Sequence, residues 1–395
     1  MKRMVVYSHD AYGLGNIRRM LAVVTHIVHA YRDVMVLLIT GSPLIHAFQI
    51  PPRVDYLKLP SIARDRDGHA TVKTLRLSFA DILHLRTDVI TKAIQDFNPH
   101  LILVDKKPFG MANELKPALT ELRSGLRRPK MVLLLRDILD EPGATIHEWQ
   151  SGGYHEAISQ NYDQVLVAGD QTIFDVASEY LFPLPTMNKL RYCGYIARPV
   201  PAASPEQVRM QLGIDDTPLV FVTVGGGDDG ASLVVAYLKG LGANSKPRFT
   251  SLLVTGPEMP PSSRRVVHAL AARRSDVIVR DFCDDMMGAM SCADLVVAMC
   301  GYNTACEFLT LRKNAVVVPR VRPVREQWIR AERLEARGLL SVLHPDGLLP
   351  QQLIATVSGE LWRERSDRRA RQEPRMDGLS RIGTALTELF ETRTR

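Results

Sequence analysis

The chain has 395 residues, 46% of them apolar and 24% charged, and carries a net charge of +7. That length exceeds one ordinary core of about 100–200 residues, and the balance excludes a disordered or fibrous chain. The positive excess favours anionic partners such as nucleotides, phospholipid surfaces or acidic glycans, although no aromatic–basic stripe suggests nucleic acid. No run approaches the ~20 apolar residues of a membrane span, and the run opening at Met4 is too short for the ~7–15-residue core of a signal peptide. A cytoplasmic location is expected, with peripheral contact at a membrane left open. The five cysteines, Cys193, Cys283, Cys292, Cys300 and Cys306, form no CxxC pair and have no metal-ligand spacing with histidine. Buried free thiols in a reducing compartment, and no metal centre, are expected.

In chain order, β-rich apolar runs fall at 4–8, 34–40, 55–59, 101–105, 131–136, 164–168 and 191–195, with helical stretches at 15–30, 79–97, 112–124 and 170–180 between them. Residues 62–74 are polar and read as a loop. Continuous apolar strands alternating with helices predict a parallel sheet covered on both faces. The proline-rich stretch 196–218 breaks the rhythm and reads as a linker with one short helix at 205–212. The alternation then restarts, with strands at 219–224, 250–255, 277–280, 295–298, 315–318 and 340–343 and helices at 231–241, 262–273, 302–310 and 326–336. The fold class is therefore α/β, two tandem Rossmann-like doubly wound domains with a cleft between them. The expected boundaries are 1–197, a linker at 198–217, a second domain at 218–375, and a final helix within 376–395 that packs back on the first domain. The basic tail, Arg363, Arg365, Arg368, Arg369 and Arg371, reads as a solvated helix face.

In open α/β sheets, ligands bind where strand ends meet helix N-termini. Three such places stand out. The first is His9-Asp10-Ala11-Tyr12-Gly13-Leu14-Gly15-Asn16-Ile17-Arg18-Arg19, a strand end, a glycine loop and a helix start. Arg18 stands where a dinucleotide fingerprint needs its third glycine, so no dinucleotide is expected. His9 and Asp10 are both able to accept a proton, and Asp10 also suits a local cap. The second is Gly225-Gly226-Gly227-Asp228-Asp229-Gly230, whose Gly226 and Gly227 offer backbone N–H groups to a diphosphate, with the aspartates read as caps for the next helix. The third is Cys300-Gly301-Tyr302-Asn303-Thr304-Ala305-Cys306-Glu307. Gly301, Asn303 and Thr304 lie at a helix start suited to phosphate, and Glu307, one turn beyond Thr304, is placed to accept hydrogen bonds from ribose hydroxyls.

These three sites in this order resemble the GT-B glycosyltransferases of the MurG type, which transfer N-acetylglucosamine, most strongly from Gly225 to Gly338. The His9–Arg19 region and Leu135-Arg136-Asp137-Ile138 look closer to a less characterised branch of predicted glycosyltransferases. The resemblance implies that Phe282, Cys283 and Met286 line the nucleobase and that Glu326 and Gln327 hold the donor sugar. It also implies that the N-terminal domain binds the acceptor, with Gly13, Gly15, Asn16, Arg18, Arg19 and Arg136 on that side. The family's histidine at the end of the N-terminal glycine loop is replaced by Asn16, which cannot take a proton. The base is then expected elsewhere, with Asp10 the first candidate and His9 the second, because both lie at the strand end expected to face the cleft.

The implied reaction is an inverting displacement: an acceptor hydroxyl attacks the anomeric carbon of a nucleoside-diphosphate sugar, expected to be UDP-linked, and the nucleoside diphosphate leaves. No cofactor beyond this substrate is expected, and no strand-end DxD motif demands a metal. The partners are thus a nucleotide-sugar donor and an acceptor of anionic, lipid-linked or small-metabolite type. Two rival readings keep the fold: a nucleotide-sugar hydrolase or 2-epimerase, and a non-catalytic nucleotide-sugar-binding subunit.

Overall fold

The computed structural model describes residues 1–9, 15–64, 70–72, 74–125, 128–242, 247–363 and 372–392. The chain divides into two units, Met1–Ile196 together with Asp377–Arg395, and Ala197–Met376.

The first unit runs β1 (Lys2–Ser8), α1 (Gly15–Ala30), β2 (Val34–Thr40), β3 (Val54–Lys58), β4 (Ile62–Arg64), β5 (Ala70–Val72), α2 (Phe79–Phe97), β6 (Leu101–Asp105), α3 (Lys116–Ser124), β7 (Lys130–Arg136), α4 (Pro142–Ser151), α5 (Tyr154–Asn161), β8 (Gln164–Ala168), α6 (Val176–Glu179), α7 (Leu184–Met187) and β9 (Leu190–Tyr192). Its seven-stranded sheet has the order β3-β2-β1-β6-β7-β8-β9, and every neighbouring pair is parallel. All five residues of β6 are buried, so an uninterrupted apolar run is what a strand covered on both faces requires. The chain winds outward in both directions from β1 and β6, and their carboxyl ends form this sheet's switch point.

The second unit runs α8 (Pro205–Leu212), β10 (Leu219–Thr223), α9 (Ala231–Leu241), β11 (Thr250–Val254), α10 (Pro261–Ala271), β12 (Val277–Arg280), α11 (Met286–Ser291), β13 (Leu295–Ala298), α12 (Tyr302–Thr310), β14 (Asn314–Val317), α13 (Glu326–Glu335), β15 (Ser341–Val342) and α14 (Pro350–Trp362). The order of its six parallel strands is β12-β11-β10-β13-β14-β15, which places the switch point between β10 and β13. Val220, Val222, Leu233, Tyr237, Leu295 and Leu353 belong to its core. The last helix, α15 (Gly378–Glu391), belongs to the first unit, where it packs on α1 and where Arg191 pairs with Glu388 at 2.6 Å.

Several expectations change. Residues 198–217 are not a free linker but part of the second unit. Arg209 on α8 donates to the carbonyls of Cys292, Asp215 and Thr217 and pairs with Asp294 at 2.9 Å. The helix expected from 112 starts at Lys116, because Ala112 (φ 47°) and Asn113 (φ 67°) take left-handed backbone that a helix cannot continue. The helix expected over 170–180 shrinks to α6, since Asp170 ties down the N–H of Thr172 in a local turn and Asp175 caps the helix start. The expected loop at 62–74 contains the antiparallel pair β4–β5. Residues 364–371, which hold most of the basic tail, lie outside the described residues. Among the described residues no helix is long and apolar enough to cross a membrane.

Candidate functional site

At the first switch point the chain leaves β1 through His9, which is 5% exposed. The His9 backbone N–H donates to Oδ2 of Asp105, the last residue of β6, at 3.2 Å. Oδ1 of Asp105 receives Nη2 of Arg19 at 2.5 Å, and both side chains are buried. Asn16 completes the group: its Nδ2 donates to the His9 carbonyl and its Oδ1 accepts from Arg19. Arg19, expected to face an acceptor, is therefore directed inward. A buried carboxylate needs a paired cation, and Arg19 supplies it. Asn16, where the resemblance would put a histidine, braces the end of β1. Gly15 is exposed at the start of α1, and Arg18 and Arg136 are half-buried on α1 and at the end of β7. Asp10, Tyr12 and Gly13 lie outside the described residues. Asp105 was not singled out from the sequence; its signal was a carboxylate closing an otherwise apolar strand.

Next to this point the Tyr7 hydroxyl donates to Glu114 Oε1 at 2.6 Å and accepts from the Met111 N–H at 2.8 Å. Arg86 grips the same carboxylate through Nε and Nη2, each at 2.6 Å. Burial and the Glu114 charge push the Tyr7 phenol far above its usual range, so it stays a hydroxyl. The cluster holds the loop after β6 against β1. It also settles the face of α2: Ile82, Arg86, Ile90 and Ile94 point inward, while Leu85, with Leu75 and Leu77 before the helix, is exposed.

In the second unit the glycine loop after β10 packs on the loop after β11. The Glu258 N–H donates to the Gly226 carbonyl at 2.8 Å. A Cβ on Gly226 would run into the Glu258 carboxylate, and one on Gly227 (φ 95°) into the Thr255 carbonyl. Gly227 is buried there, so its missing side chain answers to packing, while Gly226 keeps some exposure. The two aspartates do not cap α9, whose N-cap is Gly230 with no side-chain bond. Both are exposed, and Asp229 instead accepts from Arg320 Nη1 at 2.9 Å.

Across the switch point, α12 begins at Gly301 with no side-chain cap. Its first N–H groups thus have no capping side chain, and its dipole favours an anion there. Arg198 donates from Nη2 to Asn303 Oδ1 at 2.9 Å, bringing a guanidinium to that helix start. Gln327 Nε2 lies 3.8 Å from the place a Gly301 Cβ would occupy, and Gln327 Oε1 accepts from the Arg320 N–H. Beneath them the buried Arg330 donates to the Cys300 carbonyl at 3.0 Å and lies over the Tyr302 ring. Thr304 is half-buried and Glu326 is buried. Glu307 is 1% exposed and so is not a solvent-facing helix residue. Arg198 and Arg320 were not singled out from the sequence. Arg198 lay in a stretch whose prolines suggested a linker, and Arg320 was one of several arginines around α13.

At the end of β12, Phe282 is 59% exposed, and Cys283 and Met286 are half-buried. Burial pushes the Cys283 thiol up, and Asp285 caps α11 by accepting from the Gly288 N–H at 2.7 Å. Asp281, beside Phe282, accepts from Thr255 at 3.1 Å and contacts His268 Nε2 at 2.9 Å. Burial works to raise its pKa, but these partners and Arg264 hold it below the usual carboxylate range. Among the described residues no group of three or more His, Cys, Asp or Glu side chains is placed to hold a metal ion.

Two doubly wound units of this kind define the GT-B fold, and solved proteins with that architecture match the whole chain. MurG from Acinetobacter baumannii aligns at 16% identity with a TM-score of 0.61, covering 98% of this chain and 100% of that one. A putative UDP-N-acetylglucosamine 2-epimerase from Listeria monocytogenes aligns at 14% identity with a TM-score of 0.65, covering 100% and 98%. Residues 219–379 match the glycosyltransferase family 28 C-terminal domain. Over 163 residues the chain is 29% identical to the UDP-N-acetylglucosamine–N-acetylmuramyl-(pentapeptide) pyrophosphoryl-undecaprenol N-acetylglucosamine transferase of Corynebacterium efficiens, covering 40% of this chain. It spans 41% of that relative's length.

Proposed function

We propose that the chain is a glycosyltransferase that moves a sugar from a nucleoside-diphosphate sugar, UDP-linked as in UDP-N-acetylglucosamine, to an acceptor hydroxyl with inversion. The observation that carries this reading is the uncapped start of α12 at Gly301, at the second unit's switch point and within the family 28 stretch. A diphosphate at that helix start meets the N–H groups around Asn303 and Thr304, with the Arg198 guanidinium beside them. Those positive groups stabilise the charge that develops as the nucleoside diphosphate leaves, so the reaction needs no divalent cation. Phe282, Cys283 and Met286 line the nucleobase, Gly226 and Gly227 approach the diphosphate, Glu307 takes the ribose, and Glu326 and Gln327 hold the sugar.

The first unit takes the acceptor, with Asp10 as the base and His9 as the second choice. The exposed Leu75, Leu77 and Leu85 beside Arg76 support a peripheral contact with lipid and a lipid-linked acceptor.

Calorimetric titration with UDP, GDP and dTDP tests the donor assignment, and saturable binding of UDP alone is expected. Turnover of UDP-N-acetylglucosamine with an acceptor should continue undiminished in EDTA. The likeness to a putative 2-epimerase favours a second reading, in which the same donor changes at C2 or is hydrolysed. Epimerised or free sugar formed without any acceptor would select that reading.

A further inference from the structure

One guanidinium ties together the parts that surround the second unit's switch point. Arg320 follows β14. Its Nη1 donates to Asp229, in the loop after β10, at 2.9 Å, and its Nη2 lies 3.8 Å from Glu326 Oε1. Its backbone N–H donates to Gln327 Oε1 at 3.0 Å, and Gln327 lies beside Gly301 at the start of α12. Arg320 Nε is buried and, among the described residues, has no hydrogen-bond partner. One guanidinium thus touches both carboxylates and still holds an unused donor.

The strength of its bonds decides what this arrangement does. The Arg320 and Asp229 side chains are 30% and 41% exposed, and an ion pair so open to water is worth about 0–1 kcal/mol. A diphosphate carries more charge than one carboxylate and presents several oxygens to the planar guanidinium fork. The loop pair also carries carboxylates. Asp228 is exposed next to Asp229, and the Glu258 carboxylate lies against Gly226. An anion approaching this loop pair meets these carboxylates together with two cations, Arg320 and Arg264, and Arg264 is held on the carbonyls of Gly256, Pro257 and Met259.

We infer that Arg320 is a specificity-determining residue of the donor site: when a nucleoside diphosphate enters, its guanidinium leaves Asp229 and takes the diphosphate. Asp229 is the stand-in anion that keeps Arg320 in place while the site is empty and competes with the donor for it. This inference rests on the donor-site reading above and assigns a residue that the reading did not use.

The test measures the affinity of UDP and of uridine, which lacks the diphosphate, for the full chain and for Arg320→Gln and Asp229→Asn. Arg320→Gln should weaken UDP about 10–100-fold, the loss expected for hydrogen bonds to a charged group, and leave uridine unchanged. Asp229→Asn should tighten UDP several-fold, because it removes the competitor, and also leave uridine unchanged. Unchanged UDP affinity in Arg320→Gln, or weaker UDP binding in Asp229→Asn, overturns the inference while the donor site stands. Failure of the unaltered chain to bind UDP removes the donor-site reading and this inference together. If Arg320→Gln does not fold, Asp229→Asn decides alone.

Discussion

Arg19 and Asp105 meet at 2.5 Å with side chains 2% and 0% exposed, and the other oxygen of the same carboxylate accepts from the backbone N–H of His9. A residue from the first turns of α1 and the last residue of β6 together fix where β1 ends. Such a pair adds little net stability when intact, because both charges are desolvated, but removing one partner leaves the other buried and unpaired. Arg19→Ala should therefore destabilise the first unit by about 3–5 kcal/mol. Arg19→Met with Asp105→Leu should recover most of that loss. Urea titration of the single and double variants checks this. A small loss in Arg19→Ala would mean that water or another cation reaches Asp105.

The glycine loop after β10 separates packing from binding. Gly225 has φ 66° with nothing within 4 Å of an added Cβ, whereas Gly227 has φ 95° and its Cβ would overlap the Thr255 carbonyl. Gly225→Ala should cost about 1–2 kcal/mol, the price of left-handed backbone alone. Gly227→Ala carries the same backbone cost plus the overlap, and it should lose more stability than Gly225→Ala. Thermal denaturation of the two variants compares them directly, and equal losses would show that the loop after β11 yields easily.

The outline of both sheets was legible because strands such as Leu101–Asp105 and Leu219–Thr223 are apolar throughout, as burial on both faces demands. The start of α12 was legible for a similar reason, a glycine between an apolar strand and an amphipathic run. Helices α4 and α5 were not, since α4 buries only Thr145 and Trp149 and shows no apolar stripe. The inward turn of Arg19 depends on a partner 86 residues away, which no local pattern reveals. The same holds for Arg198: Asn303 is its partner 105 residues on, and prolines around the arginine suggested a linker. Glu307 sits on the helix where expected, but its burial depends on what packs over it rather than on its own spacing.

That burial shapes the test of the ribose assignment. Replacing Glu307 by alanine empties a site that is 1% exposed, so lost affinity and lost packing would be confounded. Glu307→Gln keeps the volume and removes the charge. If the carboxylate takes ribose hydroxyls, UDP affinity should fall about tenfold, or ~1.4 kcal/mol, while binding of inorganic pyrophosphate is unchanged. Calorimetry with both ligands reads this. Equal UDP affinity with a lowered melting temperature would make Glu307 a structural charge only.

Acid should weaken the first unit through two histidines. Burial lowers the pKa of His26, helped by the nearby His29, and burial alone lowers that of His155. His155 packs against Trp149 and Phe182 at ring separations of 5.2 and 5.1 Å, and His26 faces Gly383 of α15. For a histidine depressed in the folded state, the unfolded chain takes up its proton first as pH falls. Stability is then complete above the ordinary value of about 6.5 and is lost progressively below it, until the folded histidine also protonates. The melting temperature should accordingly drop between about pH 6.5 and 5, and more shallowly in His155→Gln. Because Gln cannot gain a proton, an unchanged slope in that variant would assign the acid sensitivity to His26 or to the carboxylates. His26→Gln then separates those two, since only the histidine contribution disappears with it.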